Sequence, residues 1–205
     1  EAVAQGRDVL AIMPTGGGKS LCFQLPALMR DGVTVVISPL IALMRDQVRA
    51  LREAGVAAGA LTSGNTDEET DAVFQALSRA ELKLLYMAPE RLASGGTLSL
   101  LRRAGVTAIA VDEAHCVSQW GHDFRPDYLQ LSVLHEQWPQ VPRVALTATA
   151  TLATRDEIVD RLGLEGAAKF VSSFDRPNIQ YRIVPKDRAR DSLHKFIKAE
   201  HRSEE

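Results

Sequence analysis

Two hydrophobic rhythms alternate along the chain. Short continuous apolar runs at Val9–Ile12, Val33–Ile37, 82–87, 108–111 and 144–147 predict strands buried on both faces of a sheet. Residues 57–61 form a weaker run of this kind, and 169–171 a last one. Between them, apolar residues recur every three or four positions, which predicts helices. One set is Leu21, Cys22, Leu25, Leu28 and Met29; another is Ile41, Met44, Val48 and Leu51. Leu98 and Leu101 mark a short helix. Leu131, Leu134 and Trp138 follow Tyr128 at the same spacing, which makes Tyr128 and Trp138 core residues. Leu152, Ile158, Val159 and Leu162 mark a helix over 152–162. Thr66 and Glu69 have the spacing of a capping box and open a helix that runs to about Arg79. Residues 1–8 read as the end of a helix closed by Gly6, and 188–200 as a final helix with a frayed end. Strands alternating with helices predict an α/β fold, a doubly wound and mostly parallel sheet with helices on both faces. In such sheets ligands bind beyond the carboxyl ends of the strands.

The segment after the first strand is Met13-Pro14-Thr15-Gly16-Gly17-Gly18-Lys19-Ser20. Strand, glycine turn, helix is the context of a phosphate-binding loop. Glycines let backbone N–H groups turn inward around phosphate oxygens, and the following helix aims its positive end at the same anion. Lys19 would reach the β- and γ-phosphates of a nucleotide, and Ser20 would offer a hydroxyl to Mg²⁺. A common form of this motif opens with glycine where Met13 stands.

A second cluster, Asp112-Glu113-Ala114-His115, ends the strand at 108–111. Two acids at the tip of an apolar strand need water, a partner or a cation. Asp112 is placed to hold Mg²⁺, Glu113 to act as general base on water, and His115 to relay the state of the γ-phosphate. Next comes an aromatic-rich loop in which Gln119, Trp120, Phe124 and Tyr128 are interleaved with His122 and Arg125. Aromatics beside cations form stacking platforms for single-stranded bases; the alternative reading places Trp120 and Phe124 in the core. Arg45, Gln47 and Arg91 follow strand ends, where they would contact phosphates or form solvated surface. Thr147 and Thr149 make a hydroxyl-rich strand tip.

The 205 residues suffice for one α/β domain with an attached piece of another, and 45% hydrophobic content is ample for a core. A net charge of −2 offers no global basic field, so any nucleic-acid contact must be local. Cys22 and Cys116 lack metal-ligand spacing, so no zinc site is expected, and two such thiols suit a reducing compartment. No apolar run is long enough to span a membrane.

An Asp-Glu-Ala-His tetrad after a phosphate loop resembles the superfamily-two helicases. The run Cys116-Val117-Ser118-Gln119-Trp120-Gly121-His122-Asp123-Phe124-Arg125-Pro126-Asp127-Tyr128 resembles the aromatic loop of RecQ-family DNA helicases. So do the segments at 13–20, 38–48, 86–92, 146–150 and 173–178, in the family's order. The resemblance implies a RecA-like lobe over 1–173, and an exit segment and helix over 174–205 leading to a second lobe. It implies an ATP-dependent DNA helicase using ATP and Mg²⁺, with 3'-5' translocation on single-stranded and partly duplex DNA in recombination and repair. Lys19, Asp112, Glu113 and His115 would be catalytic, and residues 15–20 would hold the nucleotide. Arg45, Gln47, Arg91, Gln119, Trp120, Phe124, Arg125, Thr147 and Arg176 would bind DNA or couple it to hydrolysis. Location would be cytoplasmic with the bacterial nucleoid, or nuclear in a eukaryote. The family's adenine-recognition glutamine is expected before residue 1, since Gln5 lies too close to Gly16. Without it and the second lobe, residues 1–205 alone are expected to be monomeric and nearly inactive. An RNA helicase, or an interaction module with a decayed site, are the alternatives; the 119–128 loop and the intact Lys19, Ser20, Asp112 and Glu113 argue against them.

Overall fold

The computed structural model describes residues 1–93, 95–120, 123–172, 183 and 188–200. Gly121, His122 and the 173–178 segment with Arg176 lie outside them. The chain divides into two units, Glu1–Phe174 and Asp175–Glu205. In the second unit the described residues form one helix, Ala189–Glu200 (α7).

In the first unit, seven strands form one sheet: β1 (Val9–Ile12), β2 (Val33–Ile37), β3 (Ala58–Leu61), β4 (Leu84–Met87), β5 (Val106–Val111), β6 (Arg143–Thr147) and β7 (Ala168–Val171). Their order is β3-β4-β2-β5-β6-β1-β7, and every pairing is parallel. Six α-helices join them: α1 (Leu21–Leu28), α2 (Ile41–Glu53), α3 (Asp67–Ser78), α4 (Gly95–Ala104), α5 (Ser132–Gln137) and α6 (Leu152–Leu162).

Successive strand residues point to opposite faces, so each strand feeds two cores. Leu10, Ile12, Val35, Ile37, Leu85, Met87, Ile109 and Val111 pack with Val73, Leu77, Leu101, Ile158 and Leu162 of α3, α4 and α6. Val9, Ala11, Val36, Leu84, Tyr86, Ala110 and Leu146 pack with Phe23, Ala27, Met44, Val48 and Leu51 of α1 and α2. This is why the central strands carry almost no polar residues.

Helix α1 does not bury the residues that mark it in the sequence. Phe23, Pro26 and Ala27 face the core, while Leu21, Leu25, Leu28 and Met29 are exposed. Residues 1–7 form a single turn rather than a full helix. Gly6 N donates to Val3 O and Arg7 N to Ala2 O, a Schellman closure that uses the positive φ of Gly6. The capping box of α3 is complete: Glu69 N donates to Thr66 Oγ1, and Thr66 N to Glu69 Oε2. Edge strand β3 is protected by side chains. Arg52 Nε donates to Ala58 O, and Asn65 Nδ2 to Ala60 O, each at 2.7 Å. Those outward carbonyls cannot recruit another strand.

One ion pair fixes the start of β6 to the segment entering β1. Asp8 accepts from Arg143 N at 2.7 Å and from Arg143 Nη2 at 3.0 Å. Arg143 is buried and also donates to Leu162 O. Asp8→Ala strands a buried guanidinium, so unfolding free energy is expected to fall by about 3 kcal/mol. Urea melts check this; a loss below about 0.5 kcal/mol, the range of a surface change, would contradict it.

Candidate functional site

Parallel register brings the strand tips level, and one row of backbone hydrogen bonds runs past them. Met13 N donates to Thr147 O, Asp112 N to Ile37 O, Ser38 N to Met87 O, and Ala88 N to Leu61 O. Each motif therefore leaves the sheet from the same edge, with β6 between β1 and β5. That places Thr147 between the 13–20 loop and the Asp112–His115 turn.

The loop after β1 needs all three glycines. Gly16 (φ +82°) and Gly18 (φ +76°) are left-handed, and a Cβ on Gly17 would sit 2.9 Å from Pro14 O. Gly17 N closes the turn on Pro14 O at 3.0 Å. Among the described residues, the N–H groups of Gly16, Gly18, Lys19 and Ser20 donate to no backbone carbonyl. Lys19 is turned back over the loop, its Nζ 3.3 Å from Met13 O and 3.5 Å from Pro14 O. Amide donors and an ammonium thus gather at the start of α1. This donor set fits a chain of phosphates.

The acidic turn faces it. Asp112 is buried, and its Oδ1 accepts from Glu113 N at 3.0 Å. Burial, and then the Glu113 charge, push the Asp112 carboxyl up to about 6; the Glu113 amide and the Lys19 ammonium pull the other way. A carboxylate in that position suits a divalent cation. Glu113 is held in the left-handed region at φ 48°, an uncommon conformation for a non-glycine residue. Its Oε2 lies 3.3 Å from His115 Nδ1, and the same nitrogen lies 2.9 Å from Thr147 Oγ1. Thr147 Oγ1 donates to Thr149 O and accepts from Thr149 N. A polar chain thus runs from Glu113 through His115 to the tip of β6. Tyr128 is fully buried, as its helical spacing predicts, and its hydroxyl donates to Asp112 O.

Cys116 is buried beside this chain, with its Sγ 3.8 Å from His115 Nε2 and 3.8 Å from Asp123 Oδ2. The three groups are close enough to resemble a metal cluster. Burial and the Asp123 charge push the thiol up to about 12, so it is protonated near neutrality and donates to Asp123.

Of the two readings of Trp120, the exposed one holds: its residue surface is 78% accessible. Phe124 is half-buried. Arg125 Nη2 pairs with Asp123 at 3.1 Å, Nη1 reaches Pro39 O at 3.4 Å, and its buried Nε has no partner among the described residues. Arg45, Gln47 and Arg91 lie on the segments that follow β2 and β4. There each has an internal partner. Arg45 Nη2 donates to Gly64 O, and Arg91 Nη2 to Thr62 O. Gln47 Oε1 accepts from Tyr86 OH at 2.8 Å, and Gln24 Nε2 donates to the same hydroxyl at 3.0 Å.

Glu157 on α6 has no role in the sequence reading. Its Oε2 accepts from Ser118 Oγ at 2.7 Å and from Gln119 N at 3.1 Å, directly under the aromatic loop. Its place in a helical run gave no signal, since an acid among Asp156 and Asp160 on an amphipathic helix reads as solvated surface.

Fold and site together define a RecA-like P-loop domain. A family model for DEAD/DEAH box helicases matches residues 1–158, and the chain belongs to that family. It is 47% identical over 199 residues to the ATP-dependent DNA helicase RecQ of Haemophilus influenzae, covering 97% of this chain and 32% of the relative. It is 43% identical over 205 residues to the RecQ-like DNA helicase BLM of Xenopus laevis, covering 96% of this chain and 15% of the relative. The match is to the N-terminal lobe of a RecQ helicase. The chain spans less than a third of the length of these relatives. The Hef helicase domain of Pyrococcus furiosus superposes with a TM-score of 0.61 at 23% identity, over 86% of this chain and 38% of its own. A hypothetical ATP-dependent RNA helicase from Sulfolobus tokodaii gives 0.62 at 17% identity, over 82% and 49%. Those two likenesses concern the fold alone. Among the described residues, no helix is long and apolar enough to cross a membrane.

Proposed function

We propose that this chain is the first motor lobe of an ATP-dependent DNA helicase, which couples ATP hydrolysis to movement along single-stranded DNA. The observation that carries the reading is the exposed Trp120, on a loop that continues directly from the Asp112–His115 turn. A large indole left in solvent beside an ATPase carboxylate pair is a ready surface for an unstacked base.

The donor set described above fits ATP with Mg²⁺. Residues Thr15 to Ser20 hold the phosphates, with Lys19 toward the β- and γ-positions, and Ser20 and Asp112 hold the cation. Magnesium supplies positive charge that offsets the triphosphate. Glu113 takes the proton from the attacking water, and its left-handed backbone fixes where that carboxylate points. His115 and Thr147 report the state of the site along the tip of β6. Gln119, Phe124, Arg125, Arg45, Gln47 and Arg91 join Trp120 in binding DNA or coupling it to hydrolysis; Arg176, outside the described residues, is assigned the same role from its sequence motif alone.

A second RecA-like lobe of the same parent chain closes the site, so residues 1–205 alone turn over ATP feebly and unwind nothing, as a monomer without zinc. Polarity is 3'-5', the setting is recombination and repair, and the location is the bacterial nucleoid or a eukaryotic nucleus. These finer points rest on the resemblance of the sequence motifs to the RecQ family.

Trp120→Ala in the full-length protein tests the reading. A lost stacked base costs about 1–3 kcal/mol, so the single-stranded DNA needed for half-maximal ATPase stimulation is expected to rise about tenfold. Unchanged stimulation would overturn the assignment. Repeating the titration with RNA separates a DNA motor from an RNA motor: equal stimulation by RNA contradicts DNA specificity.

A further inference from the structure

We propose that Glu157 of α6 is a positioning residue that sets the backbone of the aromatic loop, and so the direction in which Trp120 faces DNA. The inference rests on the helicase reading above.

Trp120 is 78% exposed among the described residues, so the backbone that carries it is what sets where the indole can reach. That backbone hangs on one carboxylate. Glu157 Oε2 accepts from Ser118 Oγ at 2.7 Å and from Gln119 N at 3.1 Å. Ser118 Oγ in turn accepts from Trp120 N at 3.1 Å. Three consecutive loop residues are thus tied to one acceptor. Ser118 is fully buried, so its hydroxyl depends on this partner. Glu157 Oε1 lies 3.5 Å from Arg161 one turn along α6, which steadies the carboxylate from its other side. Burial pushes the Glu157 carboxyl up, but the Ser118 hydroxyl, the Gln119 amide and Arg161 outweigh it and hold the group below the usual carboxylate range. A charged acceptor taking two donors at once is stronger than a neutral one.

The position of α6 matters as much as its acid. The helix opens at Thr151, just past the Thr147–Thr149 tip that meets His115. One end therefore adjoins the polar chain from Glu113, and the next turns hold the loop. On the loop's far side, Arg125 N donates to Cys116 O, which closes its base. The hydrogen bonds of Glu157 run to Ser118 and Gln119 and its ion pair to Arg161, so its effect passes through the loop.

The test uses the full-length protein and compares Glu157→Ala, Glu157→Gln, Trp120→Ala and the Glu157→Ala/Trp120→Ala double variant. ATP hydrolysis is measured without DNA and across a single-stranded DNA titration, with melting temperatures recorded. Glu157→Ala is expected to retain DNA-free hydrolysis and to raise the half-stimulating DNA concentration about tenfold, the scale of a lost stacked base. Glu157→Gln keeps a neutral acceptor, so it should fold and fall between wild type and alanine. The double variant should bind DNA no worse than Trp120→Ala alone, because the carboxylate acts through that indole. If Trp120→Ala shifts the titration while both Glu157 variants leave it unchanged, the positioning role is wrong and the helicase reading stands. Additive effects of Glu157→Ala and Trp120→Ala also overturn it. If Trp120→Ala itself has no effect, the DNA face of the proposed function fails, and this inference falls with it.

Discussion

Lys19→Ala in the full-length protein is expected to lower ATP hydrolysis by at least about 10²–10³-fold while the domain stays folded. The lysine follows the turn whose Gly16, Gly18, Lys19 and Ser20 amides donate to no backbone carbonyl among the described residues, and its Nζ rests on the carbonyls of Met13 and Pro14. On the proposed reading its ammonium would bring a fixed positive charge to the place where negative charge accumulates in phosphoryl transfer. A preorganised charge of that kind is worth more in a partly buried site than in water. Alanine removes the charge but leaves the loop intact. Gly16, Gly17 and Gly18 set the backbone, and neither of the lysine's two listless contacts to loop carbonyls is needed for packing. Asp112 should respond as well. Lys19 is among the groups that pull its carboxyl down, so the variant's Asp112 titrates higher than wild type. The check is steady-state hydrolysis with DNA present, beside a melt at the same pH. Turnover within a few-fold of wild type would remove Lys19 from the site, and a collapse of the melting temperature would make it structural.

The parallel sheet was legible because its signal is long and local: continuous apolar runs alternating with helical spacing admit few other folds. The phosphate loop and the Asp112–His115 turn were legible for a related reason, since glycines and acids at strand ends have few other uses. What the sequence hid depends on direction rather than type. Leu21, Leu25, Leu28 and Met29 mark α1 as a helix, yet Phe23, Pro26 and Ala27 face the sheet, because a short helix near one edge of its core can turn either face inward. Trp120 left two readings open, since exposure is set by where a loop lies. Arg45, Gln47 and Arg91 look like free polar ends along the chain, but each meets a partner from another strand or loop. Glu157 and the Asp8–Arg143 pair were invisible because their partners lie far away in sequence.

Glu113→Gln keeps the side chain's shape and removes its basicity, so turnover is expected to fall by about 10²–10⁴-fold with nucleotide binding preserved. The residue's left-handed backbone, φ 48°, is set by the turn after β5 and does not depend on the carboxylate, so glutamine can occupy the same position. The contact with His115 Nδ1 also survives as a hydrogen bond, because a glutamine oxygen still accepts at that distance. What disappears is a negative charge beside Asp112. Burial is the first cause that lifts the Asp112 carboxyl to about 6, and Glu113 is the second. Removing the second lowers the Asp112 pKa, which gives the variant a signature independent of catalysis. In the wild type, a proton on Asp112 competes with a cation there, so Mg²⁺-dependent nucleotide binding should weaken as pH falls through about 6. In Glu113→Gln the same weakening should begin at lower pH. The sign for folding follows too: a raised carboxyl favours the folded state at low pH, and that advantage is lost as pH rises through the folded value. Glutamine should therefore flatten this part of the stability profile between pH 4 and about 6. Single-turnover hydrolysis and Mg²⁺-nucleotide binding, each measured from pH 5 to about 8, test both halves across the range in which the carboxyl titrates. Wild-type turnover would show that another group takes the proton, and lost binding in a folded variant would make Glu113 a ligand rather than a base.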